Sequence, residues 1–133
     1  MVFISNKKLG NQTEKMYLNL IKENGGWASL IPPTELGQPV DSVSVINGIV
    51  LFADIKNVMG ERFSLTSIPE NQIIAMELIT RSKNESLYIR VGFAIYFRKF
   101  KQWGWLSYSH LQRLRKDGVK SVKTSDIQSL FNE

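Results

Sequence analysis

The chain has 133 residues, no cysteine and a single histidine, which excludes disulfides, thiolate metal sites and histidine-rich zinc sites. Seventeen Lys and Arg against twelve Asp and Glu give a net charge of +5, which permits a polyanionic partner without requiring one. There is no apolar run of about 18 residues to span a membrane, and the opening Met-Val-Phe-Ile-Ser-Asn-Lys-Lys has too short an apolar stretch, ahead of its charges, for a signal peptide; a cytoplasmic single domain over residues 1–133 is expected.

Residues 12–23 carry Met16, Tyr17, Leu20 and Ile21 at helical spacing, and Gly25-Gly26 ends that helix. Glu14 precedes Ile21 by seven positions, which leaves the two about 20° apart around the helix axis. At the border of the apolar stripe, this carboxylate can extend to solvent or reach into a cleft at the helix start. Residues 27–38 read as irregular, with Pro32-Pro33 forcing extended backbone.

Asn47-Gly48 between two β-rich runs signals a hairpin over roughly 40–57, because a type I′ turn needs positive φ at both central residues. Counting outward, Val45 meets Val50, Val43 meets Phe52 and Asp41 meets Asp54. Opposed residues share a face, and strand alternation puts Lys56 on it too. Like charges opposed on a sheet destabilise it. Either both aspartates are solvated at a frayed end with Lys56 as a surface partner, or a divalent cation lies between them with the lysine as a fixed positive charge. The pairing of Asp41 with Asp54 favours the cation.

After Met59-Gly60 a third strand is expected over 62–66, with Phe63 and Leu65 alternating with polar residues. Ser67-Ile-Pro69-Glu70 fits a capping box opening a helix to about residue 81. Gln72 shares a face of that helix with Met76 and Ile79, so its amide needs a partner: backbone, a phosphate, a water or Lys56. Residues 87–97 form a long strand, apolar on both faces in places and therefore central, with 103–108 as its hairpin mate. A short helix follows over 110–116, ended by Gly118, and 126–131 is read as another. His110, near a helix start, is a cap-region or surface histidine. The segment Tyr96-Phe-Arg-Lys-Phe-Lys-Gln-Trp-Gly-Trp105 mixes bases and aromatics, which suits DNA backbone contact and also suits a hairpin tip with its tryptophans in the core. The order of elements gives a mixed α/β fold.

These residues resemble a known family. Pro39-x-Asp41 followed by Asp54-Ile-Lys56 resembles the signature of the PD-(D/E)xK nucleases. Gly10-x-x-x-Glu14 is similar to the N-terminal glutamate motif of cellular Holliday junction resolvases. Phe63-Ser-Leu-Thr-Ser-Ile-Pro-Glu-Asn-Gln72-Ile73, the strand over 91–97 and Gly104-Trp-Leu-Ser-Tyr-Ser-His-Leu111 follow the order of the RecU-type resolvases, over roughly residues 10–111.

The resemblance implies a restriction-endonuclease-like core, a mixed central sheet flanked by helices. It implies a magnesium-dependent endonuclease, with manganese able to substitute, that resolves four-way junctions in DNA recombination or repair as a homodimer. Asp41, Asp54, Lys56, Gln72 and Glu14 match the catalytic positions. Asp41, Asp54 and Glu14, with the Ile55 carbonyl, match the metal-binding set. Lys7, Lys8, Arg98, Lys99 and Lys101 are the expected DNA contacts.

The chain departs from the family pattern in three ways. Val40 separates Pro39 from Asp41, the second acid is aspartate rather than the usual glutamate, and no segment between the strands is long enough for the protruding stalk of RecU-type proteins. The compact size matches a phage or mobile-element version. Broader branched-DNA cleavage, or a non-catalytic DNA-binding module of the same fold, are the alternatives.

Overall fold

The structure is a computed structural model that describes residues 5–33 and 39–131. Helix α1, Asn6–Glu23, starts well before residue 12 because Ser5 caps it, its hydroxyl accepting the Lys8 N–H at 3.2 Å. Thr13, Tyr17 and Ile21, four apart, are its buried stripe. Strands β1 (Trp27–Leu30), β2 (Ser42–Ile46), β3 (Ile49–Val58), β5 (Ile89–Phe97), β6 (Gln102–Ser107) and β8 (Gln128–Ser129) form one sheet in that spatial order. Strands β4 (Phe63–Ser64) and β7 (Ser121–Val122) pair separately. β3 and β5 are parallel, joined through helix α2 (Glu70–Ser82), and the remaining pairs are antiparallel.

The hairpin register is the expected one. Asn47 and Gly48 both have positive φ, and Ile46 pairs with Ile49, Val45 with Val50 and Val43 with Phe52. Alternation then sorts the sheet into two faces. Leu51, Ala53, Ile55, Ala94 and Trp105 pack with Tyr17 and Ile21 under α1. Val91, Phe93, Ile95, Phe97 and Leu106 pack with Met76 of α2 and Leu111 of helix α3, Tyr108–Lys116. Residues 91–97 are buried throughout, as a central strand flanked by helices on both faces requires.

Four expectations need correction. Residues 27–30 are a strand, held at the sheet edge by pairing with 42–45; residues 34–38 of the expected irregular stretch lie outside the described residues. The strand expected over 62–66 is only two residues long, Phe63–Ser64, and pairs with Ser121–Val122 outside the main sheet. The capping box does not form: Pro69 occupies the cap position of α2, and the Ser67 hydroxyl donates instead to the Ser64 carbonyl at 3.1 Å. Residues 126–131 are not a helix; a 3-10 turn over Thr124–Asp126 leads into β8. Among the described residues no helix is long and apolar enough to cross a membrane.

Candidate active site

Asp41 stands one residue before β2, and Asp54 lies inside β3. The antiparallel ladder stops at Ser42 and Ala53, and the next rung is made by the two carboxylates. Asp54 Oδ1 accepts the Asp41 N–H at 3.0 Å, and Asp41 Oδ2 accepts the Ile55 N–H at 2.9 Å. Each side chain is thereby aimed by the opposite strand's backbone, which fixes both without a flexible linker. A strand residue's N–H and C=O project to the same side. The Ile55 carbonyl therefore points past the end of β2, on the side where Asp41 sits.

Asp54 is 1 % exposed, and its Oδ2 has no hydrogen-bond partner. Burial, then the charge of Asp41, push its carboxyl up to about 7, against the attraction of Lys56 and the hydrogen bond from the Asp41 N–H. Lys56 is on the same face: it follows Asp54 by two positions, and its ammonium lies 5.9 Å from the ring of Phe93, the strand partner of Asp54. Glu14 is half-buried on α1. Its pKa is raised, first by burial and then by the charge of Asp41, which puts it within electrostatic reach of the pair. Gln72 is in the first turns of α2, with its Oε1 buried and unpartnered; Thr80 Oγ1 is the third such buried oxygen among the described residues.

The donor set can be weighed against a cation. Among the described residues no three carboxylate or histidine side chains stand close enough to form a metal cluster, so Glu14 is near the pair without joining it. Two carboxylates and a backbone carbonyl remain. That set suits magnesium, which binds through one or two carboxylates and keeps several of its waters. An unpartnered buried carboxylate oxygen is a ligand that a hard cation can use.

The expected DNA-contact residues divide. Lys7 and Lys8 are exposed in the first turn of α1. Lys99 and Lys101 are exposed on the β5–β6 turn, with Lys99 2.7 Å from Glu61 in a solvent-exposed pair of small energetic weight. Arg98 is half-buried and engaged: Nε donates to Asn57 Oδ1 at 2.6 Å and Nη2 to Thr13 Oγ1 at 3.3 Å. Trp105 is buried, and Trp103 packs between Tyr17 and Tyr96, so the tryptophans are core. The His110 N–H donates to the capping Ser107 hydroxyl at 3.1 Å, as a cap-region residue would.

Thr13 and Asn57 were not anticipated. Thr13 extends the Tyr17–Ile21 stripe by one turn, and a polar residue at an apolar position was the available signal. Cavities of about 440 and 350 Å³ lie around Arg90 and Trp105, and neither is lined by Asp41, Asp54 or Lys56.

No protein-family model matches the sequence, and no curated protein is similar to it. The fold has a solved counterpart: Hjc from Archaeoglobus fulgidus, described as a Holliday junction resolvase from an archaeal hyperthermophile. The TM-score is 0.67 over 91% of this chain and 96% of that one, at 12% sequence identity. The likeness is one of fold, a restriction-endonuclease-like mixed sheet with flanking helices.

Proposed function

We propose that this chain is a magnesium-dependent endonuclease that cuts branched DNA, in the manner of Holliday junction resolvases, as one domain working in a cytoplasmic homodimer. One observation carries the reading: a buried aspartate, Asp54, held against a second carboxylate with one oxygen left unpartnered and a lysine on the same face. Magnesium, or manganese in its place, would be held by Asp41, Asp54 and the Ile55 carbonyl with Glu14 alongside, and supplies charge stabilisation at a scissile phosphate and polarisation of water.

The chain's own residues have separate tasks. The crossed main-chain hydrogen bonds hold Asp41 and Asp54 still, so no reorganisation is needed during reaction. Lys56 brings a positive charge to the face where negative charge builds on the phosphate, and orients the attacking water. Gln72, with an unpartnered amide oxygen, orients water or phosphate from the α2 side. The exposed lysines of the α1 start and of the β5–β6 turn are available to phosphates flanking the cut.

The motifs are nearest the RecU-type resolvases, in a short version suited to a phage or mobile element. β2 and β3 are closed by the two-residue Asn47-Gly48 turn, and β5 and β6 by the four residues 98–101, which leaves no stalk between them. That absence favours a second reading in which forks and flaps are cut as well as junctions.

The test is cleavage of labelled four-way junction, fork and linear duplex, each with and without magnesium, by wild type and Asp54→Asn. Magnesium-dependent cutting of the junction in preference to duplex, lost in the variant, is expected. Equal cutting of forks selects the broader nuclease. Binding without any cutting selects a DNA-binding module, and cutting that survives Asp54→Asn refutes the site.

A further inference from the structure

We propose that Arg98 is a positioning residue: by tying Thr13 of α1 to Asn57 of β3, it sets the first turns of α1 so that Glu14 faces Asp41. The catalytic part of this proposal rests on the nuclease reading; the pin itself does not.

Arg98 directly follows β5, and its own N–H donates to the Val58 carbonyl at 2.9 Å, so its backbone is fixed as one more rung beside β3. The guanidinium lies over the Tyr96 ring at 5.5 Å. From there Nε reaches Asn57 Oδ1 at 2.6 Å and Nη2 reaches Thr13 Oγ1 at 3.3 Å. Thr13 is 1 % exposed. Its single hydroxyl proton goes to the Leu9 carbonyl at 2.7 Å rather than to Asn57 Oδ1, which lies 3.4 Å away, and the oxygen accepts from Arg98. Three chain segments, from α1, β3 and β5, therefore meet on one planar cation.

The neighbours of that junction give it meaning. Thr13 precedes Glu14, and Asn57 follows Lys56. The pin sits beside two residues of the candidate site and includes neither.

It is also what the start of α1 has for an anchor. Tyr17 and Ile21 bury the second half of the helix, with the Tyr17 ring tilted against Trp103 at 5.7 Å between centroids and its hydroxyl 3.1 Å from Ser44 Oγ. Among the described residues of α1, Thr13 is the one buried side chain ahead of Tyr17. Without Arg98, the direct polar link from this turn to the sheet is the 3.4 Å approach of the Thr13 hydroxyl to Asn57 Oδ1, whose proton is already committed to Leu9.

The chemistry calls for arginine. Two donors in a fixed fork, stacked on a ring, cannot be reproduced by the single ammonium of lysine. A residue acting on DNA phosphate by charge tolerates that exchange better. Arg98→Lys therefore separates the two roles.

The experiment compares wild type, Arg98→Lys, Arg98→Gln and Thr13→Val, the last leaving the arginine in place should the others fold poorly. Native-state hydrogen exchange is read first, on metal-free protein. Amides over 9–14 should exchange about tenfold faster or more in all three variants, while those around Ile21 keep their protection. Single-turnover cleavage of a four-way junction at saturating protein should fall about tenfold, with the Kd for junction unchanged within about twofold. In a Glu14→Gln background, Arg98→Gln should cost nothing further, because both act through one group.

Unchanged exchange over 9–14 overturns the pin. Weakened binding with an intact single-turnover rate, rescued by Arg98→Lys, makes Arg98 a DNA contact instead. A full further loss in the Glu14→Gln background makes its effect fold-wide. A wild type that cuts no DNA overturns the nuclease reading and the catalytic role together, while the exchange result still decides the pin.

Discussion

Asp54→Asn should make the metal-free protein more stable at neutral and alkaline pH and slightly less stable in acid. Burial and Asp41 move the Asp54 carboxyl from its ordinary 3.8 to about 7. Ionising it in the folded state is then costlier than in the unfolded chain by at most about 4 kcal/mol, at about 1.4 kcal/mol per tenfold change in affinity for the proton. Across the window from 3.8 to about 7, the folded protein holds a proton that the unfolded chain has released. Stability conferred by this group is therefore fully present below the lower value, declines as pH rises through the window, and is flat above it. Asparagine keeps an oxygen to accept the Asp41 N–H and places an NH2 where Oδ2 now lacks a partner, at a cost of about 1 kcal/mol. The variant should thus gain about 2–3 kcal/mol over wild type at pH 8 and lose about 1 kcal/mol at pH 3. Urea denaturation in chelator across that range measures the difference directly, and titrations common to both proteins cancel. A difference independent of pH, or wild type the more stable at pH 8, would refute the account of a buried carboxylate kept at the expense of stability.

Saturating magnesium at about a hundred times its Kd should raise wild-type stability by about 2.7 kcal/mol and leave Asp54→Asn unmoved, as thermal unfolding would show; equal shifts would locate the cation elsewhere. Asp41→Asn keeps an oxygen for the Ile55 N–H, so the fold should persist while cleavage drops about a hundredfold or more, checked by single-turnover assay alongside circular dichroism. Gly92→Ala should lower stability by about 3 kcal/mol or more, since a Cβ there meets the Leu106 carbonyl and lies 2.8 Å from Ser107 Cα, both backbone atoms of the paired strand; an unchanged midpoint in urea would contradict this. DNA affinity should fall with salt at a log–log slope of about −0.9 per phosphate neutralised, and removing the Lys99 and Lys101 charges should flatten it more than removing Lys120 and Lys123.

The hairpin and its acids were legible in the sequence because their determinants are local. Asn47-Gly48 fixes a turn, the turn fixes a register, and Asp41 falls opposite Asp54 by counting. Elements whose partners are distant were not legible. Phe63 and Leu65 do alternate inward, but β4 pairs with Val122, far along the chain, and nothing around Phe63 announces it. Trp27-Ala-Ser-Leu lacks a strong strand pattern and is a strand through its pairing with β2. Ser67 lies outside α2 because the helix begins after Pro69, which takes the cap position, and the Ser67 hydroxyl turns back to the Ser64 carbonyl. Arg98 reads as a surface base until Thr13 and Asn57, from two other elements, close around it. The cost of confining Asp54 was likewise invisible, because it depends on how completely other segments bury a carboxylate that a sequence shows only as present.

The tight turn between β2 and β3 also acts as a gauge. Its zero is Asn47-Gly48, and Asp54 is the mark six residues past Gly48, about 20 Å away at the rise of a strand. A single residue inserted at the zero would shift every mark beyond it against β2 and exchange inward for outward neighbours. Asp41 would then oppose Ala53, from the face packed under α1. Length variation is harmless in most surface connections. Here, far from any chemistry, the length of a turn is calibrated.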